Sequence, residues 1–405
     1  MSPFARLAAA PRGEPLVFLH SCGAGPSELF AGPVEVLAVP ASPAPRAELF
    51  ARLDDFLARH RGRACAGFAS YELRSAVEAL PLRIRDGFPQ PALWLGAFAE
   101  RSVWPASHDP AQAELAARAV PASGLRALET RAGYEAKVAR VIEHIRAGDL
   151  FQANLTQAFE ARYDGDPRAL FAKLCTVSPA PYAAYVETDD GLAVLSASPE
   201  EFLVADGSAV RTRPIKGTRP RATDREADAA LLAELLASEK DQAELAMIVD
   251  LLRNDLGKLA QVGSVAVGPF PEHASYAQVH HLFATVTARL RDGTSTGELL
   301  RATFPGGSIT GAPKLRSMEL LEELESCRRG VYCGAIGEFA HGARVRLNVA
   351  IRTMACRAGR IRLHAGGGVT ADSDPAAEYE ETLHKAAGML RALALDAGVL
   401  REARA

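Results

Sequence analysis

Apolar and polar residues alternate along this chain with two periods, near two and near 3.6, and the changes between them mark where strands give way to helices. Leu16-Val17-Phe18-Leu19-His20 is an apolar strand, Ser21-Cys22-Gly23-Ala24-Gly25-Pro26 a turn, and residues 34–39 a second strand. A bend at Pro40, Pro43 and Pro45 leads into an amphipathic helix at 47–60. Small apolar residues at 64–71 predict a closely packed central strand, and 93–99 predict another. The prolines and alanines of 104–123 read as a linker or surface excursion. From Thr130, residues Tyr134, Val138, Val141, Ile142 and Ile145 recur at helical spacing until Gly148 closes the helix. The strand at 150–157 then places polar Gln152, Asn154, Thr156 and Gln157 largely on one face, which meets either solvent or a cleft.

Further on, 183–187 and 192–196 form a hairpin about Asp189-Asp190-Gly191. Residues 209–213 alternate as a strand and end at Pro214-Ile215-Lys216-Gly217-Thr218-Arg219-Pro220-Arg221. Thr223, Asp224 and Glu226 open a helix at 223–236. Helices follow at 238–256 and 315–324, strands at 331–339 and 346–354, and a last helix opens at Asp374-Pro375. No repeat period is present.

Composition narrows the class. The 405 residues are 48% hydrophobic and 23% charged, with a formal net charge of −3, which gives no general attraction to nucleic acid or an anionic membrane. The sequence has neither an apolar run of membrane-spanning length nor the segments of a signal peptide, so a cytoplasmic location is expected. The six cysteines, at 22, 65, 175, 327, 333 and 356, lack metal-finger spacing and read as reduced, mostly buried thiols.

Candidate chemistry centres on Lys216. Two prolines stiffen its flanks and Gly217 frees the middle, a turn that presents one amine between a strand and a helix; the plain alternative is an exposed loop lysine. Glu200, after Pro199 and beside an apolar strand, is partly desolvated and keeps its proton near neutral pH. Asp241 and Glu244 share one helix face, and Glu378 and Glu381 share another with Lys385 a turn beyond; each is either a solvated stripe or half of a site. If the two helices face each other, a cation must lie between them, and Mg²⁺ suits one or two carboxylates completed by water and substrate oxygens. The run from Phe304 to Lys314 before the 315–324 helix suits anions, and Gly366-Gly367-Gly368 offers bare backbone. Tyr332 and Arg352, on the 331–339 and 346–354 strands, are a hydroxyl and a guanidinium for a carboxylate, unless Arg352 is a structural ion pair.

Six motifs, in order, resemble the chorismate-utilising enzymes: Ser-Pro-Glu-Glu-Phe at 198–202, Pro-Ile-Lys-Gly-Thr-Arg-Pro-Arg at 214–221, Met-Ile-Val-Asp-Leu-Leu-Arg-Asn-Asp at 247–255, His-His-Leu at 280–282, Phe-Pro-Gly-Gly-Ser-Ile-Thr-Gly-Ala-Pro-Lys at 304–314, and Glu-Tyr-Glu-Glu-Thr-Leu-His-Lys at 378–385. The resemblance is dense over 130–392 and loose before that. It implies an α+β fold, a large two-sheet β-sandwich with helices packed outside, in which 1–125 forms the N-terminal part and 126–395 the chorismate-binding region. It also implies Mg²⁺ on Glu244 and Glu381 with Asp241 and Glu378 in support. The substrate pocket it implies comprises Gln152, Thr218, His281, Ser308, Thr310, Tyr332, Arg352, Gly366, Gly367, Gly368 and Lys385.

Lysine at 216 resembles the branch that aminates chorismate to 4-amino-4-deoxychorismate, whereas the anthranilate-forming branch, the alternative, usually carries alanine there. Lys216 as nucleophile must lose its proton, with Arg211, Arg213 and Arg219 as contributors, while Glu200 acts as general acid. Gln152 stands where water-using relatives resemble one another in having a lysine, and an amide is no base. None of the six cysteines sits on a glycine-flanked elbow, so ammonia is expected from a separate glutamine amidotransferase subunit. Leu19-His20-Ser21 resembles a segment lining a tryptophan pocket in the family; a plain hairpin edge is the other reading.

Overall fold

The computed structural model describes every residue except 42–45, 78–79, 81, 83–87, 277–278, 399 and 401–405, together with the side chains of residues 46 and 47. Pro43 and Pro45 therefore lie outside the described residues. The strands form one hydrogen-bonded ladder of seventeen and a separate sheet of three, and among the described residues there are eleven α-helices, an α+β architecture.

Strand alternation divides the apolar interior. In the strand Ala64–Ala69, Ala66 and Phe68 join one cluster with Val17, Phe30, Trp94, Val194 and Ile336, while Cys65 and Ala69 join another. Tyr182–Glu187 behaves alike: Ala184 and Val186 face the first of these clusters, whereas Ala183 and Tyr185 pack under helices. Because side chains two apart share a face, one face of each sheet meets the other sheet and the opposite face meets helices. Helices Pro3–Ala9, Arg131–Arg146, Pro167–Val177 and Pro375–Ala392 cover one side; Arg46–Arg59, Glu239–Gly257 and Thr296–Thr303 cover the other. The sandwich and its outer helices are as expected.

Residues of the N-terminal part are strands of the same sheets. Leu16–His20 pairs with Tyr182–Glu187, Ala64–Ala69 with Ala335–Ala340, and Ser123–Ala127 with Gln152–Arg162.

Four local expectations are corrected. Residues 104–123 contain the helix Pro110–Ala116, whose Asp109 cap accepts from Ala111 N at 3.0 Å and from Phe4 N at 2.7 Å. Asp-Pro is a cap followed by a first-turn proline, and Leu115 and Ala116 enter the core, so the stretch is no linker. Lys216 lies within the strand Ile215–Pro220 rather than on a turn; this is the edge of the small sheet, where a proline costs no ladder bond. Its pairing with Val279–Phe283 slips between Ile215 and Thr218, where Gly217 has φ +81. Tyr332 sits in a turn ahead of Ala335–Ala340, and Arg352 lies between Arg344–Val349 and Thr353–Arg357 at φ +52, a left-handed conformation uncommon outside glycine. Finally, Gly366, Gly367 and Gly368 are inside the strand Arg360–Val369, paired opposite Thr156, Leu155 and Asn154. The polar side chains Gln152, Asn154, Thr156 and Gln157 are all buried, so that face does not meet solvent.

Candidate active site

Two helices and three strands converge on Lys216. The helix Glu239–Gly257 starts at a Ser238 cap and buries Leu245, Ile248, Val249 and Leu252, which turns Asp241 and Glu244 toward the edge strand. A Cβ on Gly217 would lie 3.0 Å from the Asp241 side chain, so only glycine allows this approach. Lys216 Nζ stands 3.8 Å from Glu244 Oε2, with its side chain 13% exposed. The helix Pro375–Ala392, capped by Asp374 with Pro375 in its first turn, brings Glu378, Glu381 and Lys385 from the other side. Lys385 Nζ donates to Gly366 O at 2.9 Å and pairs with Glu381 at 2.5 Å. A Cβ on Gly367 would lie 2.8 Å from Glu378 Oε2 and 3.1 Å from Glu381 Oε1, so the glycine strand leaves space that two carboxylates border.

The electrostatics separate an acid from an amine. Burial pushes Glu200 from 4.5 up to about 7, against the pull of the Ser308 hydroxyl and Lys216. Burial also lowers Lys216; Glu244 works against this, while Lys385 adds to it. Arg211, Arg213 and Arg219 are not the cause. Arg211 pairs with Glu201, Arg213 lies over the Phe283 ring, and Arg219 pairs with Glu234 and Asp241. At neutral pH these environments favour a protonated carboxyl beside a poorly stabilised ammonium, which is how an acid and a nucleophile coexist in one site.

Around them the other expected residues fall into two groups. His281 is buried, shares a 2.9 Å hydrogen bond with Thr218 through Nδ1, and is pushed down to about 4 by burial and then by Arg352, so it is neutral. Arg352 is itself lowered by burial, with Tyr332 opposing that; among the described residues Arg352 forms no ion pair with a carboxylate, so it is not the structural pair considered above. Gln152 is fully buried with neither amide atom hydrogen-bonded, and a Cβ on Gly368 would collide with its Nε2 at 1.9 Å. Ser308 reaches Glu200. Thr310 is different: its hydroxyl donates to Gly306 O at 3.1 Å, closing its own turn. Ser21 lies elsewhere, on a cavity of about 320 Å³ also lined by His20, Tyr182, Tyr276, Arg346 and Asn348. None of that cavity's lining belongs to the Lys216 group.

Three contributors were not anticipated. Ser373 donates to Glu378 Oε1 at 2.6 Å, Lys240 acts on both Glu378 and Glu381, and His364 stacks on Tyr332 with ring centroids 5.3 Å apart. The serine two residues before Pro375 and the lysine inside the first turn of the Glu239 helix were visible, but nothing in their spacing pointed inward. His364, two residues before the glycine run, carried a signal that alternation alone could have read.

Among the described residues no group of three or more His, Cys, Asp or Glu side chains stands ready to hold a metal. One observation nevertheless suits a cation. Glu378 Oε2 is buried without a hydrogen-bond partner, burial raises its carboxyl, and Glu381 shares the space in front of Gly367. A divalent ion with few protein ligands and several waters fits such a place.

Residues 14–391 match the family of chorismate binding enzymes, and the chain belongs to it. It is 41% identical to aminodeoxychorismate synthase component 1 of Klebsiella aerogenes, over 81% of this chain and 76% of that protein. It is 45% identical to the protein of the same name from Escherichia coli K12, over 65% of this chain and 58% of the relative. An anthranilate synthase component 1 of Haloarcula marismortui is 47% identical over 65% of this chain and 54% of its own. The chain thus spans somewhat more than half the length of most of these relatives. Anthranilate synthase component I of Streptococcus pneumoniae superposes with a TM-score of 0.78 at 28% identity, covering 96% of this chain and 97% of that one.

Proposed function

We propose that this chain aminates chorismate, replacing the C4 hydroxyl with ammonia to give 4-amino-4-deoxychorismate. Relatives named for amination and for anthranilate formation are about equally similar, so identity does not choose between them. The observation that carries the reading is the buried Lys216 amine, lowered by burial, next to a Glu200 that titrates at about 7.

In this reading Arg352, Tyr332 and the backbone of Gly366 to Gly368 orient the substrate's carboxylates. Neutral Lys216 adds to C2 of the ring as the double bond shifts and the C4–O bond breaks, and Glu200 gives its proton to the departing hydroxyl, which leaves as water. Ammonia then bonds to C4, the double bond returns, and Lys216 is expelled. Gln152, an amide, does not activate water as a base. Mg²⁺ on Glu244 and Glu381, with Asp241 and Glu378 alongside, would supply positive charge for a substrate carboxylate. The relatives' designation as component 1 fits an ammonia source outside this chain, a glutamine amidotransferase subunit. The cavity beside Ser21 is the place for tryptophan in the same proposal, tested by titrating that amino acid calorimetrically.

The deciding measurement is product identity: the purified chain with chorismate, Mg²⁺ and an ammonium salt yields 4-amino-4-deoxychorismate. Anthranilate as the main product would assign it to the other activity.

A further inference from the structure

We propose that Asp228 is a positioning residue for Lys216, the centre of a clasp in which one carboxylate ties all three strands of the small sheet to the helix Arg225–Ala237. The functional half of this rests on Lys216 as the nucleophile proposed above; the structural half does not. Between Ile215 and Thr218 the Lys216 strand has one residue more than the partner segment opposite, Phe283 to His281, and Gly217 at φ +81 lies within that excess. A bulge of this kind interrupts the ladder, and here it falls on Lys216 in an edge strand. Beyond it, Pro220 has no N–H to give. The ladder alone therefore fixes the amine poorly.

The fastening comes from the other face of the sheet. His280 and His281 are consecutive in the strand Val279–Phe283 and point to opposite faces. His281 meets Thr218 Oγ1 at 2.9 Å, beside Lys216, whereas the buried His280 brings Nε2 to Asp228 Oδ1 at 3.1 Å. On its second nitrogen, Nδ1, His280 meets Ser275 Oγ of the third strand, Glu272–Ser275, at 2.8 Å. Arg221, just past the end of the Lys216 strand, donates from Nε to both Asp228 oxygens at 2.8 and 3.0 Å and from Nη2 to Oδ2 at 2.8 Å. Ala222 N donates to the same carboxylate at 2.9 Å, and Arg221 Nη1 to Tyr276 O at 3.0 Å.

The hydrogens follow from these distances. Arg221 first, then the Ala222 N–H and, against burial, His280 hold the Asp228 carboxyl well below the usual carboxylate range, so it only accepts. His280 Nε2 then carries the shared hydrogen, and a neutral ring accepts from Ser275 Oγ through Nδ1. The helix bearing Asp228 is fixed in turn. Asp224 caps its start by accepting from Ala227 N at 2.9 Å, and near its end the fully buried Leu235 lies 3.0 Å from where a Cβ on Gly217 would stand. The neighbouring Arg219–Glu234 pair, with Glu234 62% exposed, adds little. An amine on a bulged edge is thus aimed by contacts at the strand's far end, and a misplacement of about 1 Å from such a distance can cost on the order of 10²-fold in rate.

The test uses the full chain and two variants. Asp228→Asn keeps the volume and removes the charge; Arg221→Lys, at a side chain 34% exposed, keeps the charge and loses the fork, and it decides the matter if the first fails to fold. Hydrogen–deuterium exchange read by mass spectrometry is expected to quicken about fivefold over 214–222 in Asp228→Asn, and less in Arg221→Lys, while the helix Arg131–Arg146 exchanges as in the parent. Chorismate consumption is expected to lose about tenfold in kcat in Asp228→Asn with KM within about twofold. Unchanged exchange over 214–222, or equal quickening across the whole sandwich, overturns the clasp. Parental kcat despite quickened exchange, or a raised KM at parental kcat, overturns the positioning role. Exchange is measured without substrate, so a parent that makes anthranilate or no product defeats the proposed function and leaves the clasp to be judged on the exchange alone.

Discussion

Two ion pairs in this molecule, one buried and one half-buried, are built from similar parts and end in opposite states. Arg329 donates to both oxygens of Glu325, at 2.9 and 2.6 Å, to Asn154 O at 2.6 Å and to Ile309 O at 3.1 Å, and lies over the Tyr71 ring. Glu325 also accepts from Thr156 N and Oγ1. Burial opposes the charge on Arg329, yet Glu325 holds the guanidinium firmly protonated. Among the described residues Lys216 has one ion-pair partner, Glu244 at 3.8 Å, and there burial prevails. The lesson is that completeness of hydrogen bonding, not burial, decides whether a buried cation is a fixture or a reagent.

Perturbing each side sharpens the contrast. Lys216→Ala is expected to lower aminodeoxychorismate formation by on the order of 10³-fold or more while chorismate still binds, measured by turnover and by calorimetric titration. Lys216→Arg should be as inactive, since a guanidinium stays charged; turnover near that of the parent would remove the covalent step. On the other side, Arg329→Met leaves Glu325 buried without its cation, with only Thr156 still donating to it, a loss of about 3–5 kcal/mol by chemical denaturation. Adding Glu325→Leu should restore part of that stability, and a double variant no better than the single would show that the pair is not acting as a unit.

Glu200→Gln is expected to reduce kcat about 10²-fold with little change in KM, because an amide cannot donate the proton. The same variant should be more stable than the parent at pH 8. A carboxyl raised from 4.5 to about 7 penalises the folded state increasingly above pH 4.5 and fully above 7, up to about 3 kcal/mol. Nearly equal melting temperatures at pH 4, below the unfolded value, and a higher one for the variant at pH 8 are the signature. Parental activity should fall as pH rises through about 7, where Glu200 loses its proton. The smallest effect is expected from Gly367→Ala, whose methyl would crowd Glu378 and Glu381 and raise the Mg²⁺ concentration needed for half-maximal rate several-fold.

Much of the molecule was readable in its sequence. The helix starts at Thr130 and Asp374, the hairpin about Gly191 and the two acidic helix faces are local signals, and the structure places them as read, with Thr130 serving as the cap. Glu200 needed only a proline and apolar neighbours to be seen as a desolvated acid. What escaped depends on partners distant in the chain. The strand around Lys216 is paired with residues 279–283, so it looked like a turn. Arg352 adopts a left-handed backbone at a strand break that propensity does not foresee. The cysteines carried no spacing signal.

That dependence reaches into the making of the protein. Ala69 pairs with Ala335, so the edge of the Ala64–Ala69 strand waits for roughly 270 further residues to leave the ribosome. At ordinary synthesis speeds the delay is roughly 15 to 55 seconds. For that interval the apolar strand carrying Phe68 is paired on one side only, with Pro91–Trp104, and its other edge stays open, which makes nascent chains of this protein natural clients for holding chaperones and sets a floor on how quickly a working molecule can appear after translation begins.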